Sequence, residues 1–226
     1  MKVAEQPFQF FVASYIPRIS NQKAKNLEEL QKGLASCGDG CIFYHTFHSL
    51  GRHHFLTEGF SDDFAHWVLA ALNQAALAEQ LAALDIHDYR SIAELRTDLH
   101  HSVAQYCEAH PTEARQTAFE PFHFCDTIEV SVRLGREART LEEFRRELER
   151  LSHDSLYFHF IASRLRLQLR SNDFSIWFAS ALGLTALAER ANGIDIYANT
   201  LDSIQAKLLA LVDSDLAPYW QPSTTR

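Results

Sequence analysis

The stretch CIFYHTFHS, Cys41–Ser49, is the clearest clue to architecture, because the chain repeats it as SLYFHFIAS, Ser155–Ser163. His45 and His159 hold the same place in the two stretches, 114 positions apart. The second stretch is apolar almost all round, a pattern typical of a buried helix. His159 is therefore predicted to lie in the interior, where an imidazole needs hydrogen-bond partners. His45 is expected to share that environment.

Similar segments flank both stretches in the same order, which predicts a tandem duplication. They are PFQF with PFHF, AKNLEEL with ARTLEEF and, after a gap of four residues, SDDFAHW with SNDFSIW. The sequence predicts repeat unit one at 1–110, repeat unit two at 119–216 and a flexible tail at 217–226.

Helix-start signals dominate each copy. Thr140-x-x-Glu143 is a capping box and Asn26-x-x-Glu29 is its looser counterpart. The apolar alternation at Ile128, Val130 and Val132 indicates a strand or hairpin. The prediction is a mainly α protein with two homologous helical repeats. Each repeat carries a short β-strand or hairpin element, and the two pack as one pseudo-twofold body.

Composition excludes several classes of function. With 21 basic and 29 acidic residues among 226, the net charge of −8 opposes binding to nucleic acid. No stretch reaches the roughly 18 apolar residues of a membrane span, and the N-terminus lacks a signal-peptide pattern. Cys37 and Cys41 lie one helical turn apart, but the other two cysteines do not form a second pair at matching spacing. A structural zinc site needs four ligands and is therefore not indicated. We expect a cytoplasmic protein without a cofactor.

Together these motifs resemble a prokaryotic family of duplicated helical domains of unknown function. The shared pattern is F-x-F, then L-E-E-L, a central histidine, N/D-D-F-x-x-W and L-A-E, present twice in this chain. The resemblance covers most of the chain. It implies a fold but no reaction, because no activity is established for that family.

The two histidines have a structural and a chemical interpretation. In the structural interpretation, each histidine fixes its own helix to the next helix by a hydrogen bond to a carboxylate, and a tryptophan packs nearby. The predicted sets are His45 with Asp63 and Trp67, and His159 with Asp173 and Trp177. In the chemical one, an aspartate-oriented histidine is a general base or metal ligand. Architecture is favoured, because every copy of a fold must keep its packing motifs, whereas an active site rarely occurs twice in a small chain.

Features that differ between the copies are the better candidates for function. Copy one is rich in histidine, and His53 and His54 with Asp62 form a candidate metal site for a hydrolase. The run around His53 and His54 reads instead as an exposed loop. Copy two carries Arg164, Arg166 and Arg170 just before a helix start, a candidate anion site. These arginines also fit a basic stripe paired with the acidic helix around Glu147.

No nucleophile elbow or phosphate-binding glycine loop occurs in the sequence. We therefore interpret the chain as a non-catalytic regulatory or adaptor module that binds a partner protein or a small anionic ligand. The alternative is a metal-assisted hydrolase that uses the histidines of repeat one. A monomer and a homodimer are both compatible with the sequence.

Overall fold

The computed structural model of the chain describes residues 2–48, 60, 62–85, 88–166, 171–196 and 198–219. The protein is mainly helical, as predicted, and has one small antiparallel sheet of two strands. In chain order the elements are β1 (Phe8–Ala24), α1 (Leu27–Ser36), α2 (Asp39–Phe43), a π-helix (Tyr44–His48), α3 (Asp63–Leu72), α4 (Ala75–Ala82), α5 (Ile92–Ala109), α6 (Pro111–Ala114), β2 (Phe122–Ala138), α7 (Leu141–Glu149), α8 (His153–Leu156), a second π-helix (Tyr157–Ala162), α9 (Ser163–Arg166), α10 (Asp173–Ser180), α11 (Thr185–Asn192), α12 (Leu201–Leu216) and a 3₁₀ turn (Ala217–Tyr219).

The β elements differ from the prediction of a short strand or hairpin in each repeat. β1 and β2 are each 17 residues long and pair with one another. Their ends are buried and their middles are exposed, so the alternation at Ile128, Val130 and Val132 marks an exposed strand surface. Pro17 lies in the exposed part of β1, as expected for a residue that cannot donate a ladder hydrogen bond.

The predicted helix caps are present at the start of the main helices. Thr140 accepts from the backbone N–H of Glu143, whose side chain reaches back to the Thr140 N–H, completing the capping box. Asn26 likewise accepts from the Glu29 N–H. Such caps satisfy the backbone donors that the first helical turn leaves free.

The described residues form two compact units that do not coincide with the two sequence copies. One unit contains 2–14, 131–166, 171–196 and 198–219. The other contains 15–48, 60, 62–85 and 88–130. We call them the C-unit and the N-unit, after the copy that supplies most of their helices. Each unit takes its opening strand segment from the other copy. The repeat boundaries at 1–110 and 119–216, and their pseudo-twofold packing, stay predictions about the copies.

Each unit has a core rich in phenylalanine. The C-unit buries Phe8, Phe10, Phe144, Phe160, Phe174 and Phe178, and the N-unit buries Phe43, Phe47, Phe64, Phe122 and Phe124. Rings of this size bury much apolar area and favour edge-to-face contacts, such as that between Phe144 and Phe178. In the described part of the chain, no helix has the length and apolar character needed to cross a membrane. Of the predicted tail, 217–219 form the 3₁₀ turn and the remainder lies outside the described residues.

Candidate functional site

The two signature histidines lie in the two π-helices, each buried with about 3 per cent exposure or less. A π-helix inserts an extra residue into a helical turn and is often found at functional positions. The insertion occurs in both copies at the histidine. The environment of these imidazoles is therefore the first candidate for a site.

Both nitrogens of each imidazole are occupied in the same way. Nδ1 of His45 lies 2.8 Å from Asp63 Oδ2, and Nδ1 of His159 lies 2.8 Å from Asp173 Oδ2. On the other side, Nε2 of His45 accepts the backbone N–H of Cys125 at 2.9 Å. A backbone N–H can only donate, so Nε2 carries the lone pair and Nδ1 carries the hydrogen that it donates to the carboxylate.

In the C-unit the corresponding donor is the N–H of Phe11, which lies 2.8 Å from His159 Nε2. Each histidine therefore holds a residue of the strand that the other sequence copy supplies. The sequence predicted the carboxylate partners but gave no indication of these strand partners.

The tryptophans anchor the same strand segments a few residues earlier. Trp67 Nε1 donates to the carbonyl oxygen of Glu120 at 2.7 Å, and Trp177 Nε1 donates to that of Gln6 at 3.1 Å. Both indole nitrogens thus satisfy backbone carbonyls at the entry to a strand. Each strand start is held by an indole and an imidazole from one pair of helices.

A strand phenylalanine fills the space between the indole and the imidazole. We call the histidine with its carboxylate, the tryptophan and this phenylalanine the anchor of the strand. Phe8 packs against His159, Phe174 and Trp177, with ring centroids 4.9 to 5.7 Å apart. In the N-unit, Phe122 packs in the same way against His45, Phe64 and Trp67, with ring centroids 4.6 to 5.7 Å apart. The F-x-F motif is therefore the apolar half of each anchor.

This geometry limits what the imidazoles can do chemically. A general base or metal ligand needs a free lone pair, and in both histidines that lone pair accepts a strand N–H. The carboxylates are less enclosed, since the Asp63 side chain is 46 per cent exposed and that of Asp173 is 21 per cent exposed. The arrangement is suited to holding a strand on two helices.

The residue that caps the tryptophan helix differs between the copies: it is a carboxylic acid, Asp62, in copy one and an amide, Asn172, in copy two. Asp62 caps α3 by accepting the Ala65 N–H at 2.9 Å, as Asn172 caps α10 by accepting the Ser175 N–H. Burial raises the pKa of the Asp62 carboxyl to about 6, although the N–H groups of Ala65 and Phe64 oppose the shift. The amide of Asn172 makes the same cap without the cost of burying a charge.

Replacing Asp62 with asparagine is accordingly expected to stabilise the protein by up to about 3 kcal/mol at pH 7, the free-energy equivalent of the shift in pKa. The folded-state pKa of about 6 lies above the usual 3.8, so the folded chain keeps a proton that the unfolded chain releases. The Asp62 contribution to stability therefore falls as the pH rises from about 4 to about 6. The gain in Asp62→Asn should disappear below pH about 4. Urea unfolding of the wild type and Asp62→Asn from pH 3.5 to 8 measures this difference in the free energy of unfolding.

Asp63→Asn is the matched control in that series, because it alters the neighbouring carboxylate that accepts from His45. We expect Asp63→Asn to destabilise the chain at pH 7. A stability profile of Asp62→Asn that runs parallel to the wild type would contradict the assigned pKa.

Of the three arginines predicted to bind an anion, the structure describes the side chain of Arg164. Arg164 is fully buried, its Nε donates to the Phe160 carbonyl oxygen at 3.3 Å, and its guanidinium carbon lies 5.5 Å from the Phe160 ring centroid. Arg166 ends α9, but its side chain and the whole of Arg170 lie outside the described residues. Arg164 is thus an interior residue, and the three-arginine anion site stays a prediction.

The acidic helix has ion-pair partners that the sequence did not indicate. Glu147 lies 3.8 Å from Arg136 on β2, and Glu149 lies 2.9 Å from Arg145 on its own helix. These exposed pairs contribute little to stability. The candidate metal residues His53 and His54 lie outside the described residues, and their third member, Asp62, serves as a cap. Elsewhere in the described ranges, no group of three or more His, Cys, Asp or Glu is placed to bind a metal ion.

The fold and these anchors define a class of mainly helical protein in which buried histidines hold a pair of long strands. The chain belongs to the family of unknown function DUF5752, whose model matches residues 5–213. The resemblance to an uncharacterised family is thereby confirmed. Among solved structures, the chain is similar to OrfY from Thermoproteus tenax, with 27 per cent identity and a TM-score of 0.83. That match covers 94 per cent of this chain and 97 per cent of OrfY. No curated protein matches the chain.

Proposed function

We propose that this chain is a non-catalytic module that binds a partner protein through its strand pair. The observation that carries the proposal is an exposed apolar patch on the N-unit part of the strands. Ile16, Ile128 and Val130 are 53, 46 and 49 per cent exposed. Contiguous exposed apolar residues of this kind mark interaction surfaces.

The three residues share one face of the sheet. Arg18 of β1 and Asp126 of β2 form an ion pair at 3.0 Å, which places both side chains on the same face. Side chains alternate along a strand, so Ile16 lies on the face of Arg18, and Ile128 and Val130 lie on the face of Asp126. We call Ile16, Ile128 and Val130 the ribbon face.

The charges beside the ribbon face suit an acidic partner. Arg18 is 65 per cent exposed at its side chain, against 30 per cent for Asp126, so the cation is the more accessible member of their pair. Among residues 14–23 of β1, Arg18 is the charged residue on the ribbon face, because Lys23 lies an odd number of positions from Ile16 and so on the opposite face. This supports a partner with an apolar surface bordered by acidic residues, because complementary charge selects partners and steers their approach.

The occupied imidazoles support a non-catalytic role. Their lone pairs hold the strands on which the ribbon face lies, so they contribute to presenting the surface. A rigid, pre-formed surface lowers the entropic cost of binding.

The proposal predicts that a ribbon-face variant loses the partner. In this variant Ile16, Ile128 and Val130 are all replaced by serine. The control is Ile19→Ser, because Ile19 is 69 per cent exposed but lies an odd number of positions from Ile16 and so on the opposite face. A partner retained from lysate by the wild type should be purified, and its affinity measured for all three chains.

We expect at least a tenfold weaker affinity for the ribbon-face variant and an unchanged affinity for Ile19→Ser. Equal affinity in all three chains would reject the ribbon face as the binding surface. If instead the wild type dimerises and the ribbon-face variant is monomeric in sedimentation, the occupant is a second copy and the proposal of a separate partner protein is wrong.

A further inference from the structure

Each anchor holds a strand segment that is distant in the chain. The Phe11 N–H and its acceptor His159 are 148 positions apart. In the N-unit, Cys125 and His45 are 80 positions apart. Short-range connectivity therefore does not place these segments, and the contacts themselves must hold them. We call the histidine and the tryptophan of each anchor, with the helices that carry them, a strand site.

The main chain of the segment makes the polar contacts at the strand site of the C-unit. The Phe11 N–H donates to His159 at 2.8 Å, and the Phe11 carbonyl oxygen accepts from the Ser155 hydroxyl. Earlier in the segment, the Gln6 carbonyl oxygen accepts from Trp177 at 3.1 Å. Main-chain hydrogen bonds of this kind give affinity for an extended peptide without reading its side chains.

Side-chain selectivity comes from the aromatic residues at alternate positions. Phe8 and Phe10 are buried, whereas Gln9 between them is partly exposed. Phe122 and Phe124 are buried in the same way in the N-unit. A strand places alternate side chains on one face, so an F-x-F segment puts both rings into the core at once. Each strand site is therefore built to receive an extended F-x-F segment.

The connector between the sequence copies belongs to neither segment. Residues 115–117 lie between α6 and β2 and are exposed, and the Arg115 side chain is 74 per cent exposed. A cut after Arg115 would leave residues 2–14 on one fragment and their strand site in the C-unit on the other. It would also leave residues 119–130 on the second fragment and their strand site in the N-unit on the first. Each fragment would then hold the other.

We propose that the two sequence copies are mutual binding partners, and that each strand site binds an extended F-x-F segment carried by a separate polypeptide. The partner of each half is the other half, and the peptide bonds of the connector are not needed to keep the halves together. This binding surface is distinct from the ribbon face, so its test does not depend on the proposed function.

Two strand sites acting together make this association strong. The fragment that donates residues 2–14 to the C-unit also accepts residues 119–130 in the N-unit, so the fragments are joined at two places. When one site opens, the other keeps the released strand close, at a high effective concentration. An interface of this kind resembles a domain core divided between two chains, which is the pattern of obligate complexes. We therefore expect the fragments to stay associated at micromolar concentration.

The test cuts the connector of the folded chain. Brief trypsin treatment of the wild type yields molecules nicked after Arg115, which are identified by the masses of fragments 1–115 and 116–226. A second preparation carries the recognition site of a specific protease between Arg115 and Gln116. We expect both fragments to elute together and to give one native mass equal to their sum after dilution to about 1 μM. Fragments that separate without denaturant would overturn the proposal.

Two further measurements assign the association to the strand sites. In the nicked chain, His159→Ala should weaken the binding of the fragments at least about tenfold, whereas His153→Ala should leave it unchanged, because His153 forms an exposed pair. Hydrogen exchange at the Phe11 and Cys125 amides needs no variant and should be equally slow in nicked and intact wild type. Faster exchange at these amides after nicking, or equal affinities in the wild type and both variants, would contradict the assignment of the strand sites.

Discussion

Replacing His159 with alanine is expected to lower the free energy of unfolding by about 2–4 kcal/mol. The change leaves the Phe11 N–H without its acceptor and the Asp173 carboxylate without the hydrogen that Nδ1 donates. It also leaves a cavity beside the Phe8 ring, whose centroid lies 4.9 Å from that of the imidazole. Urea unfolding of the two proteins at pH 7 measures the loss.

The chain supplies a matched control in His153. Its Nε2 lies 2.8 Å from Asp202 Oδ1, the same distance as in the buried pair, but its side chain is 52 per cent exposed. An exposed histidine–carboxylate pair is worth only a few tenths of a kcal/mol, so His153→Ala should change stability by less than about 0.5 kcal/mol. The contrast separates the effect of the buried anchor from the effect of losing an imidazole.

Hydrogen exchange tests the anchor itself, because it reports single amides. The Phe11 amide should exchange faster in His159→Ala, and the Cys125 amide should do so in His45→Ala, each beyond the change expected from global stability. A His159→Ala chain that is as stable as His153→Ala, with unchanged exchange at Phe11, would remove the structural interpretation of the motif.

The sequence predicted the helical content and the carboxylate side of each anchor, because both depend on local signals. Capping boxes and apolar periodicity act over a few residues, and they placed the starts of α1 and α7 where the structure has them. The pairing of His159 with Asp173 joins residues only 14 positions apart. It followed from a buried imidazole close to a carboxylate at the next helix start.

The strand partners could not be predicted because the copies are so alike. In an aligned pair of copies, a contact within one copy and the equivalent contact between copies involve the same residue types. His159 faces the segment PFQF of the first copy, but PFHF of its own copy fits the same pattern. Only three-dimensional packing decides between these partners.

The burial of Arg164 was not predicted, because three neighbouring arginines before a helix start indicate an exposed basic surface. The π-helix Tyr157–Ala162 lies just before this residue, and its wider turn rotates the residues that follow about the helix axis. Arg164 is fully buried, and its guanidinium carbon lies 5.5 Å from the centroid of the Phe160 ring. The anion site formed with Arg166 and Arg170 stays a prediction.

The second large effect is expected at Gly33, where alanine should destabilise the protein by about 2–4 kcal/mol. Gly33 is buried in α1, and a Cβ placed there would lie 1.9 Å from Cζ of Phe124. Alanine in a helix interior is normally favoured over glycine by about 1 kcal/mol, so the sign of the result is informative. The clash requires the Phe124 ring or the backbone of α1 to move. Urea unfolding provides the measurement.

Gly38→Ala is the matched control, because a Cβ at Gly38 meets no atom within 4 Å and its φ of −77° suits any residue. Because Gly38 is the N-cap of α2, where alanine is less favourable than glycine, that variant should lose no more than about 1 kcal/mol. Loss of stability in Gly38→Ala as large as in Gly33→Ala would mean that the Phe124 contact is not the cause.

The double variant Gly33→Ala with Phe124→Leu identifies the clashing partner. Phe124→Leu alone removes part of a buried ring and should cost about 1–2 kcal/mol. In the Gly33→Ala background the smaller side chain makes room for the new methyl group, so the pair should be more stable than the sum of the single losses by at least about 1 kcal/mol. Additive losses would show that the methyl group meets another obstacle. A favourable coupling would establish that bare backbone at Gly33 is what lets β2 approach α1, the same strand whose Cys125 N–H is held by His45.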